Sequence, residues 1–420
     1  MTTYNSYEDY IQHQSQKTLD PEKRKKWLND EWNLKINGFK QEFSKIKDYL
    51  TPDKKCLCLG ARTGQEVVAL QQLGVHDVVG IDIVPCEPLV ISGDIHNLDF
   101  KDDTFDFVYT NIIDHSIDPK KMISEIERVL KIDGLFFLQI QLGINQDEYT
   151  VFKVKDPIFD IVTLFDQSFC FHLNFINSDQ SNNFAGMNVE LIFRKDKKLS
   201  QLFKNFGNIH TVQLPEEYEK LWVDINLPIQ TKKLNDSNIL DENKRNDILN
   251  SLKNRAYYLT RIADTYSAKN ILEVGTAEGW QFFSFGAYAN EAGGKVFSCD
   301  PRDVRNKTYT SLYEDVCFYH QTTSRALGQS KDVEEIDMFY IDGLHDQNCV
   351  LEDVVNLINK QSSKDSPIWV FDDFDTRFGS YKDITQIISA SKGFKIWNVG
   401  LTSSGHPNHQ VLVKNSFVTN

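Results

Sequence analysis

Two glycine-bearing stretches decide the fold: Leu59-Gly60-Ala61-Arg62-Thr63-Gly64 and Glu273-Val274-Gly275-Thr276-Ala277-Glu278-Gly279. Each stretch follows a short apolar run and precedes residues with the periodicity of an amphipathic helix. Glycine lets the backbone turn tightly and lets a ligand approach the main chain closely. Each stretch therefore predicts a strand–turn–helix unit with a ligand at the turn, and the chain carries this unit twice.

Apolar runs and amphipathic stretches alternate around both turns. The strand-like runs are CLCLG, VVGIDI, FDFVYTN and LFFLQI in the first half, and NILEVG, KVFSCD, DMFYIDG, IWVFDD and HQVLVKN in the second. Strands that alternate with helices form parallel βαβ units. The predicted fold class is therefore α/β, with two tandem doubly wound Rossmann-like domains, each a mostly parallel sheet with an antiparallel C-terminal strand. MNVELIFRK is expected to form that strand in the first half.

Changes in composition and in hydrophobic periodicity along the chain indicate the expected domain boundaries. Residues 1–50 are charged, with apolar side chains at helical spacing, and they predict an N-terminal helical cap. Residues 51–196 and 246–420 carry the two βαβ series, and a helix is expected near Ile248–Tyr266. Residues 197–245 lose periodicity and are predicted to be a linker.

Charge and cysteine content limit the expected partners and location. The formal net charge is −14 and the chain has seven cysteines. Proteins that bind nucleic acid usually present a basic face, so nucleic acid is not an expected partner. No run reaches the ~18 apolar residues of a membrane span, and no apolar leader is visible. The cysteines lack a CxxC motif, which favours reduced thiols in a cytoplasmic protein without structural zinc.

An acid ends the strand after each glycine turn: Asp82 in VVGIDIV and Asp300 in VFSCDP. A carboxylate at this place can accept hydrogen bonds from both ribose hydroxyls of an adenosine ligand. Neither turn has the GxGxxG of dinucleotide sites, where a pyrophosphate lies on the helix N-terminus. Both turns are GxxxG, which suits an adenosine ligand without phosphate, such as S-adenosylmethionine.

The order of these motifs resembles the class I S-adenosylmethionine-dependent methyltransferases in both halves. In the first half, CLGARTGQEV, GIDIVP, SGDIHNLDF and the segment up to LFFLQI are similar to the small-molecule enzymes called type 11. The resemblance implies that Gly60 and Gly64 face the cofactor. It also implies that Asp82 holds the ribose and that Asp94, with Ile95, flanks the adenine.

The first half departs from the family at one position. The acid that usually ends the first strand, and that helps to hold the methionine amino group, is replaced by Cys58. By the same resemblance, Asn111 to His115 would line the methyl-transfer site, with His115 as a candidate base. The departure leaves two alternatives for the first half, a second methyltransferase with its own acceptor or a degenerate partner.

The second half keeps its acid at this position. The resemblance implies a complete cofactor site there, formed by Glu273, Gly275, Gly279 and Asp300. The C-terminal half is therefore the better candidate for an active enzyme.

Two acidic clusters distinguish the second half: IDGLHD at 341–346 and VFDDFD at 370–375. Both follow predicted strands, at the edge where open α/β sheets place ligands. Asp342, Asp372 and Asp373 offer the oxygen ligands that Mg²⁺ prefers. The sequence therefore predicts a magnesium site at this edge.

These clusters resemble the macrocin-type metal-dependent sugar O-methyltransferases. The resemblance implies that Asp342, Asp372 and Asp373 hold Mg²⁺ and that His345 is the general base, with Asp342 also serving catalysis. An upstream acidic ligand of that family has no assigned residue here. A metal-bound hydroxyl is more acidic than a free one, and a positioned base typically adds ~10²–10⁴-fold in rate.

The predicted function is S-adenosylmethionine-dependent methylation, with Mg²⁺-dependent O-methylation of a sugar or small hydroxylated metabolite by the C-terminal domain. The expected partner is a small-molecule or glycan acceptor, not nucleic acid or a membrane, and assembly as a homo-oligomer stays open. One alternative is an NAD-dependent oxidoreductase or epimerase, for which Tyr149 and Lys153 have the right spacing but no GxGxxG accompanies them. The other is a non-catalytic Rossmann scaffold, against which the retained acids Glu273 and Asp300 argue.

Overall fold

The structure is a computed structural model, and the chain divides into two compact units, Met1–Lys197 and Lys198–Asn420. The residues that it describes are 4–142, 147–165, 169–176, 188–195, 213–237, 239, 241–333, 335–362, 367–390, 395–399 and 409–414.

Three helices open the first unit: α1 (Tyr7–Leu19), α2 (Pro21–Leu28) and α3 (Trp32–Phe43). The carboxylate of Asp20 accepts the backbone N–H groups of the first turn of α2, which stabilises the helix start. Phe39 and Phe43 of α3 pack on the sheet, with Phe43 edge-on to Tyr109 at a ring separation of 5.0 Å. The charged N-terminal segment thus forms helices because it has an apolar face to bury.

The first unit contains a seven-stranded sheet among its described residues, in the order β3-β2-β1-β4-β5-β7-β6. The first five strands in this order are parallel, whereas β7 runs antiparallel to both of its neighbours. The strands are β1 (Lys55–Leu59), β2 (Asp77–Asp82), β3 (Val90–Ser92), β4 (Phe105–Thr110), β5 (Leu130–Ile140), β6 (Phe169–Ile176) and β7 (Val189–Lys195). The helices between them are α4 (Gln65–Gln72), α5 (Pro119–Val129) and α6 (Pro157–Val162).

The second unit repeats this topology in its described residues, with the order β10-β9-β8-β11-β12-β14-β13 and an antiparallel β14. Its strands are β8 (Ile271–Val274), β9 (Val296–Cys299), β10 (Cys317–His320), β11 (Met338–Ile341), β12 (Ile368–Phe374), β13 (Lys395–Val399) and β14 (His409–Lys414). Its helices are α7 (Glu216–Leu221), α8 (Leu227–Asp236), α9 (Glu242–Thr265), α10 (Trp280–Ala292), α11 (Lys307–Leu312), α12 (Ser324–Gln329), α13 (Cys349–Leu357) and α14 (Ser380–Ala390).

The predicted fold class is confirmed: each unit is a mainly parallel sheet flanked by helices, with one antiparallel strand near its C-terminus. The strand predicted from MNVELIFRK is β7, and the helix expected near residues 248–266 is α9. Among the described residues, no helix combines the length and the apolar composition that crossing a membrane requires.

The segment expected to be a linker contains α7, α8 and the first residues of α9 in its described part. Trp222 and Ile225, in a π-helical turn between α7 and α8, are buried, and Trp222 lies edge-on to Trp280 at 5.4 Å. These helices bury only a few apolar side chains each, so the polar residues around them hide the helical pattern in the sequence.

Candidate active sites

The two glycine turns have the same backbone geometry. Gly60 and Gly64 have φ values of +71° and +89°, and Gly275 and Gly279 have +91° and +90°, a region that residues with a side chain rarely adopt. A Cβ atom on Gly275 would lie 1.9 Å from the carbonyl oxygen of Asp342. The second turn is therefore in direct backbone contact with the first acidic cluster.

The two predicted ribose acids, Asp82 and Asp300, occupy equivalent places. Each ends or directly follows the second strand of its unit and is almost fully buried. Each carboxylate accepts one N–H group from the glycine turn and one from two residues further along its own loop. The donors are Arg62 and Val84 in the first unit, and Ala277 and Arg302 in the second, at 2.8 to 3.1 Å. Carboxylate oxygens accept further hydrogen bonds, so both groups can still receive ribose hydroxyls.

The predicted methionine end of the cofactor site differs between the units. Glu273 is buried in β8 and accepts a hydrogen bond from Ser298 Oγ at 2.8 Å. Burial raises the pKa of Glu273 to about 8. Cys58, at the equivalent place in β1, is fully buried, and burial raises the pKa of its thiol well above the usual value. At this position β1 of the first unit thus has a neutral thiol, Cys58, whereas β8 of the second unit has a carboxyl group, Glu273.

Helix α1 covers the predicted adenosine end of the first unit. Tyr7 Oη donates to both carboxylate oxygens of Asp94 at 2.7 and 2.8 Å. A cavity of about 60 Å³ joins Gly60, Asp82, Asp94 and Ile95 to side chains of α1. The structure therefore brings together the residues that the resemblance assigned to the ribose and the adenine, and it adds Tyr7, which no sequence motif marked.

A larger cavity, of about 870 Å³, lies beside Gly60 in the first unit. Among the described residues, seven cationic side chains line it: Lys17, Lys23, Lys26, Lys35, Arg62, Lys153 and Lys155. Three acidic side chains of the same described part line it as well: Glu66, Asp114 and Asp147. The lining has a net positive formal charge in a chain whose net charge is −14.

His115 lines this cavity with a fixed orientation. Its Nδ1 lies 3.0 Å from the carbonyl oxygen of Tyr149, and its Nε2 lies 3.3 Å from Nζ of Lys17. A carbonyl oxygen only accepts, so Nδ1 carries the proton in the neutral ring, and Nε2 accepts from the ammonium group of Lys17. Lys17 is paired with Asp147 at 2.5 Å. The contact with Tyr149 supplies the orienting group that the residues next to His115 in sequence do not.

In the second unit, Asp342 and Asp372 lie at the ends of neighbouring strands and share two donors. Arg255 Nη2 lies 2.5 Å from Oδ2 of Asp372 and 3.4 Å from Oδ2 of Asp342. Tyr340 Oη donates to the same two oxygens at 2.9 and 3.1 Å. Burial opposes ionisation of Asp372, but the Arg255 guanidinium holds the pKa of its carboxyl below the usual value. A cation of the protein itself therefore already neutralises Asp372.

Asp373 faces His345. The Nδ1 atom of His345 lies 2.8 Å from Oδ2 of Asp373, and this hydrogen bond raises the pKa of the imidazole above its usual value. Within the described part of the chain, Asp342, His345 and Asp373 form a group of possible metal ligands, in which one ligand atom of each residue lies within 4.8 Å of the others. Of the three predicted metal ligands, Asp342 and Asp373 thus lie beside His345, whereas Asp372 is outside this group and is paired with Arg255.

Sequence reasoning did not identify the residues that reach these sites from distant helices. Arg255 lies in α9, 87 residues before Asp342, and Tyr7 lies in α1, 87 residues before Asp94. The sequence predicts Tyr340 only as a residue of a strand, although its period-two position places it on the same face as Asp342.

Two family models, each described as a methyltransferase domain, match residues 57–138 and 272–374. Each match covers the glycine turn and the following strands of one unit. Nothing among the curated proteins matches the chain.

Solved structures of methyltransferases resemble parts of the chain. The O-methyltransferase TomG of Streptomyces achromogenes, in complex with S-adenosylmethionine, is 10% identical, with 51% of this chain and 98% of that chain covered and a TM-score of 0.36. An O-methyltransferase of Bacillus cereus, in complex with S-adenosylhomocysteine, is 16% identical, with 44% and 96% covered and a TM-score of 0.31. Identities this low carry no information on the substrate.

The topology and the family matches agree in both halves. The strand order, with its single antiparallel strand, occurs once in each unit, and a methyltransferase model covers the core of each. The chain therefore contains two tandem methyltransferase domains, each with the topology of the class I S-adenosylmethionine-dependent methyltransferases.

Proposed function

We propose that the second unit is an O-methyltransferase that acts on a hydroxyl group of a sugar or small hydroxylated metabolite. The observation that carries this proposal is the pairing of His345 with Asp373 beside Asp342, where the backbone of Asp342 abuts the Gly275 turn. A base thus lies next to the turn at which the cofactor is expected.

The pair has the geometry of an oriented general base. Asp373 accepts the Nδ1–H of His345, which leaves Nε2 free to take a proton from an acceptor hydroxyl. The deprotonating oxygen attacks the methyl carbon, the carbon–sulfur bond breaks, and S-adenosylhomocysteine leaves with a neutral sulfur. The proton ends on Nε2 of His345, and the protein mainly contributes orientation.

The donor set also fits a divalent cation. Two carboxylates and an imidazole within 4.8 Å of one another suit Mg²⁺ or Mn²⁺, which favour oxygen ligands and keep several waters. In the proposed site, Asp342 and Asp373 would hold the ion. Asp372 is not part of the proposed ligand set because Arg255 already neutralises its charge. Its carboxylate also accepts the backbone N–H of Asp373 at 2.8 Å. A bound ion would make a coordinated hydroxyl more acidic.

The experiment measures S-adenosylhomocysteine formation from S-adenosylmethionine with a panel of sugars, polyols and phenols, before and after treatment with EDTA. We expect turnover with a hydroxylated acceptor, its loss with EDTA, and its return with Mg²⁺ or Mn²⁺ while cofactor binding persists. Full activity after EDTA treatment would contradict a role for the metal in catalysis and would leave base catalysis by His345 alone. Turnover only with amine or thiol acceptors would overturn O-methylation.

The cationic cavity favours a second activity in the first unit, methyl transfer to an anionic acceptor such as a phosphorylated or carboxylated metabolite. Lys23 and Arg62 line it together with the exposed Lys153 and Lys155. His115, held by the carbonyl of Tyr149, would be its base.

Binding assays on anionic metabolites and their neutral counterparts test this second activity. The double variant Lys153→Gln/Lys155→Gln should weaken binding of the anions alone. The matched control Lys25→Gln/Lys101→Gln removes two exposed lysines of the same unit that lie outside the cavity lining. Equal binding of charged and neutral compounds would contradict an anionic acceptor.

A further inference from the structure

The two glycine turns align residue for residue without a gap, from Cys58 to Glu66 and from Glu273 to Gln281. In the second unit the strand position is acidic, Glu273, and the position in the first helical turn is neutral, Gln281. In the first unit the strand position is neutral, Cys58, and the helix position is acidic, Glu66. At these two positions each unit therefore has one carboxyl group, which lies on the helix in the first unit and on the strand in the second.

Glu66 is a buried carboxyl group with an unused oxygen. It lies in the first turn of α4, is 7% exposed, and lines the large cavity beside Gly60. Its Oε2 atom has no hydrogen-bond partner among the residues that the structure describes. An unpaired buried carboxylate is costly, so a cationic partner that enters the cavity would be stabilised by it.

Two cations of the protein that act on Glu66, Arg62 and Lys35, also have other partners. Arg62 places its guanidinium over the ring of Trp27, 4.3 Å from the centroid, and Lys35 pairs with Glu31 at 3.0 Å. Both lie near enough to lower the pKa of Glu66, but burial outweighs them and raises it to about 7.

Glu66 and Glu273 also share their relation to the ribose acid. The negative charge of Asp82 raises the pKa of Glu66, and that of Asp300 raises the pKa of Glu273. Each carboxyl group thus lies within electrostatic range of the ribose acid of its own unit.

We propose that Glu66 binds the α-ammonium group of S-adenosylmethionine in the first unit and so fills the role that Cys58 cannot. The inference rests on the proposed function in one respect, that this turn receives S-adenosylmethionine. It makes the first unit a second working cofactor site, because the carboxyl group has moved from the strand to the helix and has not been lost.

The test compares two adenosine thioethers, of which only one carries the ammonium group that Glu66 would contact. S-adenosylhomocysteine carries the amino-acid tail, whereas 5′-methylthioadenosine ends in a methyl group on the same sulfur. Calorimetric titration uses the full chain with Asp300→Ala, which weakens the second site. We expect Glu66→Gln to weaken binding of S-adenosylhomocysteine at least about tenfold, the loss of one charge-assisted hydrogen bond, and to leave 5′-methylthioadenosine unchanged.

Glu127→Gln is the matched control, because Glu127 is a buried glutamate of the same unit that does not line the cavity. Unchanged binding of S-adenosylhomocysteine by Glu66→Gln would overturn the assignment, and so would an equal loss for both ligands, which would indicate a structural role. If neither ligand binds the first unit of the parent chain, the proposed cofactor site itself fails, and this outcome is distinct from a failure of Glu66 alone.

Discussion

At the scale of single residues, the sequence was informative wherever a side chain acts close to its own turn. Asp82 and Asp300 could be placed because a strand end and a glycine turn are adjacent in any βαβ unit. The role of Glu66 could not be predicted, because its burial depends on tertiary packing. The contact of His115 with Tyr149 could not be predicted for the same reason. The sequence shows that Asp373 follows Asp372, but not that Arg255 neutralises only one of them directly.

Burial of Glu66 predicts a pH-dependent stability difference between the parent chain and Glu66→Gln. An exposed glutamate in the unfolded chain has a pKa of about 4.3, and the folded pKa is raised to about 7. The unfolded state therefore loses its proton first, so this group costs stability as pH rises from about 4 to 7 and the cost is constant above that.

We expect Glu66→Gln to be more stable than the parent at pH 8, by up to about 4 kcal/mol, and equal to it near pH 4. Thermal unfolding without ligand at both pH values is the measurement. A variant that is less stable at pH 8 would show that the carboxylate is already satisfied within the protein.

The ribose acids predict a second residue-scale result. Asp300→Ala removes a charged acceptor from the cofactor site of the second unit and should weaken S-adenosylmethionine binding there by about 1.5–3 kcal/mol. Asp82→Ala should do the same in the first unit. Two-site calorimetry on the full chain checks both, and Asp332→Ala, an exposed aspartate, is the control. Binding that survives both substitutions would place the cofactor elsewhere.

At the scale of helices and strands, the strongly apolar strands were predictable, whereas the polar helices of residues 213–241 were not. A buried strand of a parallel sheet is a nearly continuous apolar run, which few other structures produce. The helices α7 and α8 each contribute only a few buried side chains, such as Leu221 and Leu234. For the same reason the role of α9 in the site could not be foreseen, since Arg255 acts from a helix rich in polar residues.

Arg255 gives the prediction at this scale. Arg255→Met leaves Asp342 and Asp372 without their shared cation, and breaking a buried ion pair in this way typically costs about 3–5 kcal/mol. The matched control is Arg261→Met on the same helix, where a more exposed pair with Asp264 is worth about 0–1 kcal/mol. Denaturant unfolding of both variants is the measurement, and equal stabilities would contradict a structural role for the Arg255 contacts.

At the scale of the whole molecule, the chain is two copies of one topology with little common sequence. The duplication was predictable because the order of strand, glycine turn, helix and acid recurs, whereas the detailed chemistry of the turns has diverged. We expect residues 1–197 and 198–420, expressed separately, each to unfold cooperatively and each to bind S-adenosylmethionine. Circular dichroism melts and calorimetry of the two halves check this, and a half without a cooperative transition would show that it depends on the other.

The central claim is that the second unit transfers a methyl group to a hydroxyl with His345 as the base. The most direct measurement is the single-turnover rate of His345→Ala in the full chain with saturating S-adenosylmethionine and acceptor, beside His76→Ala, an exposed histidine of the first unit. Loss of the base predicts a rate lower by about 10²–10⁴-fold with cofactor affinity unchanged, and no effect of His76→Ala. An unchanged single-turnover rate in His345→Ala would contradict the claim.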